Sequence, residues 1–233
     1  MMKREAAWLG DVLARTDVAE LDPILSVGSG TRHFRRTFQP WIERRVYEPL
    51  DRRSVRVLHH ELEPADGVDL AGDLGDEQVR HTLRELGVRA ILCLNVFEHV
   101  RDREGLASAL LASLPPGGLL VVTVPRRFPY HADPIDTMFR PSPHELHELF
   151  ADAQVVDEGT VRCESLLAHW LSKPGKVGAV RKAIRGITRR GDAPSASADR
   201  PATALVSLRE LLRMAFVSTE QTYVIVKRPA VER

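Results

Sequence analysis

A chain of 233 residues, 43% hydrophobic and 28% charged, fits one globular domain with an elaboration better than two full domains. A net charge of +1 excludes nucleic-acid binding through bulk charge, and the two cysteines, Cys93 and Cys163, make neither a disulfide framework nor a metal pattern. The opening Met-Met-Lys-Arg-Glu-Ala-Ala-Trp lacks a signal-peptide core, and no apolar run reaches the roughly 18 residues of a membrane span, so a cytoplasmic protein is expected.

In chain order, Ala6, Leu9, Val12 and Leu13 recur at helical spacing and predict a leading helix over 5–20. Ile24–Val27 is the first predicted strand. A helix broken by Pro40 follows over 34–42, then a second strand over Arg45–Glu48. Val55–Leu58 reads as a short extended segment and Val68–Leu70 as a strand ending at Gly72-Asp73-Leu74. A helix over 77–86 precedes the wholly apolar strand Ala90–Leu94, which suits the middle of a parallel sheet. A helix over 103–114, the turn Pro115-Pro116-Gly117-Gly118, and a strand over 119–124 stopped by Pro125 come next. Ser142 and Glu145 mark a capped helix over 142–152, and 155–162 with 222–227 form a final strand pair. This alternation predicts an α/β, Rossmann-like doubly wound sheet. It should be mostly parallel, with an antiparallel last strand, helices on both faces and a helical insertion before the last strand.

The chemistry starts where the first strand meets Gly28-Ser29-Gly30. Glycines there let the backbone pass close under a nucleotide-type ligand. Glu48, 20 residues after Gly28, is placed to accept hydrogen bonds from ribose hydroxyls, with Asp51 as the alternative. Asn95 ends an apolar strand, where a polar residue is expected only if it faces a cleft. His59-His60 and the pair His144 and His147 lack further well-spaced ligands, so no metal site is expected.

These motifs, in this order, resemble the class I S-adenosylmethionine-dependent methyltransferases, especially the methyltransferase type 11 group, from about Leu25 to Phe150. The resemblance implies S-adenosyl-L-methionine as cofactor. It assigns Gly28, Ser29 and Gly30 to the first motif, Glu48 to the ribose, and Asp73 and Leu74 to the adenine. It places Asn95 and Val96 in the Asn95-Val-Phe-Glu-His-Val100 segment beside the donor, and Leu114-Pro-Pro-Gly-Gly-Leu119 before the fifth strand. Ser26 stands where the family's first motif has an acid, and Arg32 where it has a third glycine. The segment from His131 through Pro134 and Asp136 to Arg140 is similar to a loop that lies over the acceptor in some members. His131 and Asp136 are therefore the catalytic candidates for removing a hydroxyl proton, with Glu98 and His99 as a second pair.

Residues 163–217 form the expected insertion within a methyltransferase domain of 1–162 and 218–233. Lys173 to Arg190 carries seven basic residues and no acid, with Val177, Val180, Ile184 and Ile187 at helical spacing. A flexible linker is expected near 191–201 and an apolar helix over 205–216. The expected activity is methyl transfer to a small-molecule or glycan-type acceptor, at oxygen. The alternative is a non-catalytic methyltransferase-like protein that binds a partner, such as an anionic lipid surface, through 173–190. A nicotinamide oxidoreductase is disfavoured by the missing third glycine, and nucleic acid by the lack of aromatics among the basic residues.

Overall fold

The computed structural model describes residues 1–131, 135–171 and 216–229. The leading helix ends sooner than expected. α1 (Lys3–Arg15) buries Ala6, Leu9 and Leu13, and α2 (Val18–Leu21) then starts afresh where Asp17 accepts from Ala19 N at 3.0 Å.

Seven strands make one sheet: β1 (Ile24–Val27), β2 (Val57–Glu61), β3 (Leu70–Ala71), β4 (Ala90–Leu94), β5 (Leu119–Arg127), β6 (Gln154–Ser165) and β7 (Ser218–Lys227). Their order is β3-β2-β1-β4-β5-β7-β6. The pairs β2–β3, β1–β2, β1–β4 and β4–β5 are parallel, and β7 runs antiparallel to β5. This is the expected doubly wound sheet. Strand direction and pleat explain its two cores. Leu25, Ile91, Cys93, Leu120 and Val122 face one side, where they meet Leu83 of α5 (Glu77–Glu85) and Leu110 of α6 (Arg103–Ser113). Ile24, Ala90, Leu92 and Val121 face the other, against Leu9 and Leu13 of α1. Each fully buried Leu or Ile contributes roughly 1.5–3 kcal/mol to holding the layers together.

The strand expected over Arg45–Glu48 is a helical turn. The chain runs through α3 (Pro40–Ile42), a wide turn over Glu43–Tyr47, and α4 (Glu48–Arg52). Ile42, Val46 and Leu50 recur every four residues, and with Trp41 they lie in the core under α1. That stripe wins over the local strand propensity of Val46 and Tyr47. The second strand is Val57–Glu61, so the extended segment expected over 55–58 is displaced and lengthened. Pro125 does not stop β5 either. The ladder to β7 passes it with a register irregularity between Pro125 and Arg127.

α7 (Pro143–Glu148) begins at the expected capping box of Ser142 and Glu145. α8 (Leu166–Leu171) follows β6. The chain divides into two compact units, 1–163 with 219–233, and 164–218. The basic run 173–190, the linker near 191–201, residues 205–215 and Pro134 lie outside the described residues. Among the described residues, no helix is long and apolar enough to cross a membrane.

Candidate active site

β1 ends at Val27, and the chain turns away with φ of 62° at Gly28 and 69° at Gly30. A Cβ at Gly28 would lie 2.7 Å from Val96 Cγ2, so this position has no room for a side chain. The turn is anchored on three sides. Ser29 N donates to the His60 carbonyl at 3.3 Å, and Gly30 N donates to Glu61 Oε1 at 2.6 Å. The buried Arg35 side chain donates to the carbonyls of Gly30 and, at 2.8 Å, Gly67.

Beyond the ends of β1, β2 and β4 opens a cavity of about 590 Å³, walled by Gly28, Glu61, Asp73, Leu74, Asn95 and Val96 among others. Five of the expected cofactor residues thus share one cavity, and Ser29 and Gly30 belong to the turn that borders it. Glu48 does not join them. It is exposed at the start of α4, lines a separate surface groove with Asp51, and lies 3.9 Å from Arg52. The acid at the end of β2 is Glu61, 33 residues after Gly28. The helical excursion over 34–52 accounts for the longer spacing. Glu61 was legible as the acid closing Val57-Leu-His-His-Glu61, once the strand was placed there. Asp73 is exposed, and its Oδ1 accepts from Gly75 N at 2.8 Å, which shapes the turn that follows β3.

Asn95 has a φ of 56° and sends its amide away from the chain direction to Glu5 Oε1, at 2.7 Å. Glu5 was not anticipated. It is wholly buried and also accepts from Thr123 Oγ1 at 2.7 Å and Met2 N at 2.9 Å. Ser26, in place of the motif's acid, is hydrogen-bonded to the buried Tyr47 hydroxyl at 2.8 Å. Burial raises the Tyr47 pKa, against the opposing Ser26 bond.

His99 lines the cavity, and Glu98 and His131 lie beside it. Glu98 is 1% exposed, and its Oε2 has no hydrogen-bond partner among the described residues. Burial pushes its pKa up to about 8, with the nearby Glu5 charge acting in the same direction. His99 lines the cavity and engages the Ile135 carbonyl through Nδ1. The His99 and His131 rings meet edge-on with centroids 5.3 Å apart.

Asp136 has a fully buried side chain gripped by Arg140 at 2.6 and 3.1 Å, and it accepts from the backbone N–H groups of Met138 and His131. Burial alone would raise its pKa. Arg140 and the two N–H groups outweigh burial and hold the carboxyl well below the usual range. Its Oδ2 lies 3.1 Å from His131 Nδ1. The approach is off the line of a ring N–H, since Nδ1 has no hydrogen-bond partner among the described residues, so the contact is electrostatic. Burial lowers the His131 pKa and His99 adds to that, while Asp136 opposes it. The structure therefore joins the two catalytic candidates, but with unequal roles. Asp136 is committed to Arg140 and positions the loop, whereas His131 presents a ring held toward its neutral form. Cys93 is buried and its thiol pKa is pushed up by that burial, so it is no nucleophile.

The arrangement fits an adenosyl group. A strand-end carboxylate, Glu61, is set for a ribose diol, and Leu62, Leu74 and Leu106 provide apolar walls for a base. The glycine turn itself packs closely against Val96 and Phe34.

A family model described as a methyltransferase domain matches residues 4–161. No curated protein matches the chain. Among solved structures, a protein assigned as a sarcosine dimethylglycine methyltransferase from Galdieria sulphuraria has a TM-score of 0.51 at 13% identity, covering 97% of this chain and 86% of its own. One assigned as a methyltransferase from Bacillus halodurans C-125 has a TM-score of 0.52 at 11% identity, covering 97% and 99%. At these identities the likeness is one of fold.

Proposed function

The chain belongs to the methyltransferase-domain family matched over residues 4–161, and from that premise we propose that it moves a methyl group from S-adenosyl-L-methionine to a hydroxyl oxygen of a small-molecule acceptor. The cofactor supplies an electrophilic sulfonium methyl. Glu61 takes the ribose hydroxyls, Asp73 and the Leu74 backbone meet the adenine edge, and Asn95 and Val96 border the donor. Holding donor and acceptor in line accounts for much of the rate, up to roughly 7–11 kcal/mol of barrier in favourable cases.

The single observation that carries the oxygen assignment is the His99–His131 contact. It puts a histidine held toward its neutral form beside a wall of the donor cavity. A neutral imidazole takes a hydroxyl proton as the oxygen attacks, and an amine acceptor has less need of one. Asp136 keeps that ring in place through its own pairing with Arg140. The test is incubation with methyl-labelled S-adenosylmethionine and a pool of small hydroxylated and aminated compounds, with mass-spectrometric location of the label. Label at oxygen, lost in His131→Ala, is expected. Label at nitrogen or carbon overturns the oxygen assignment.

A further inference from the structure

We propose that Glu98, His99 and His131 form a binding site for a divalent transition-metal cation at the rim of the donor cavity. One ligand-capable atom from each lies within 4.8 Å of the others. That spacing needs only a small inward movement to surround an ion at the usual bond lengths of about 2.0–2.2 Å.

Three independent features point the same way. The first is Glu98 itself, 1% exposed with an oxygen that no described residue satisfies. Ionising a buried carboxyl without a partner is costly, and a cation beside it favours the ionised form. The nearest strong cation of that loop, the Arg140 guanidinium, is already committed to Asp136. The second is the orientation of His99. Its Nδ1 engages the Ile135 carbonyl, which fixes the proton there and leaves Nε2 as a lone pair, 3.7 Å from Glu98 Oε1. Metal-binding histidines are held in this way, by an outer hydrogen bond on the other nitrogen. The third is His131, whose ring sits edge-on to His99 with the Asp136 carboxylate behind it. Two imidazoles and one carboxylate suit zinc, manganese, iron or cobalt rather than calcium.

Three protein ligands leave coordination positions open, and His99, one of the three, lines the cavity. A hydroxyl bound there loses its proton more readily. This consequence rests on the methyl-transfer reading of the cleft, and it makes His131 a ligand rather than a base whenever the metal is bound. The metal site does not rest on that reading.

The full chain, freed of any affinity tag and treated with chelator, is titrated with Co²⁺ by visible absorption and with Zn²⁺ and Mn²⁺ by calorimetry. One equivalent is expected to bind, with affinity reduced at least tenfold in Glu98→Gln, His99→Ala and His131→Ala. Glu98→Gln preserves volume, and thermal melting of each variant shows which are folded. No binding by the wild-type protein, or equal binding by folded Glu98→Gln and His131→Ala, overturns the proposal. S-adenosylhomocysteine titrated into the same wild-type sample separates the two readings. If it binds and metal does not, only the metal site is wrong; if metal binds and it does not, the donor reading fails and the metal site stands.

Discussion

Gly30 donates its backbone N–H to Glu61 Oε1 at 2.6 Å, which ties the turn after β1 to the last residue of β2. The two meet because β1 and β2 are neighbouring parallel strands, with Val27 opposite His60. A carboxylate in that position can hold the turn with one oxygen and a ribose diol with the other. Glu61→Ala is expected to weaken S-adenosylhomocysteine binding at least tenfold, about 1.4 kcal/mol, in calorimetric titration. Glu48→Ala should leave it unchanged. The reverse pattern would return the ribose to Glu48.

Gly28 combines a φ of 62° with a Val96 methyl where its side chain would be. Gly28→Ala should cost about 1–3 kcal/mol of stability and abolish donor binding. Adding Val96→Ala relieves the clash but not the backbone strain, so thermal melting should recover in part only. A single Gly28→Ala variant that melts and binds like wild type contradicts this account of the turn.

In the Asp136–Arg140 pair the carboxylate is buried and the guanidinium mostly so, with both groups further tied to the backbone of the loop they hold. Arg140→Ala leaves the Asp136 carboxylate without its cation, and the expected loss is about 3–5 kcal/mol in urea denaturation. Adding Asp136→Asn should restore part of it, because a neutral amide is cheaper to bury than an unpaired charge. If the double variant is no more stable than Arg140→Ala, the loss comes from packing alone.

His59 packs edge-on against Tyr47 with ring centroids 4.8 Å apart. Burial, helped by the Arg35 charge, lowers its pKa to about 4. Between pH 6.5 and 4 the unfolded chain therefore holds this proton and the folded protein does not. Stability falls as pH falls through that window and is unaffected above it. His59→Gln should flatten the dependence by on the order of 1–2 kcal/mol between pH 7 and 4.5. An unchanged pH profile of denaturation midpoints would show that His59 is not the titrating group.

Much of the sheet was legible because its strands are short apolar runs closed by glycine, proline or polar residues. Ile24–Val27 and Ala90–Leu94 match their predicted bounds, since short, largely apolar runs bounded by turn residues suit a strand buried on both faces. Arg45–Glu48 misled because Val46 and Tyr47 favour strands locally. The competing signal was the four-residue recurrence of Ile42, Val46 and Leu50, which matters only when a helix such as α1 lies across it.

The sequence by itself determined the bounds of β1 and β4, the capping box of α7, the glycine turn, the Asn95-to-His99 segment and the Asp136–Arg140 loop, because each depends on residues near one another in the chain. Tertiary structure alone decided which acid lines the cavity beside the glycine turn, since Glu61 reaches Gly30 through strand pairing rather than through sequence spacing. It alone decided that Glu5 lies beneath Asn95 and Thr123, 90 and 118 residues away, whose two hydrogen bonds, added to the local one from Met2 N, make a wholly buried carboxylate tolerable. And it alone set His131 against His99 and Glu98, because β4 and β5 are adjacent and deliver their trailing loops to the same edge of the sheet.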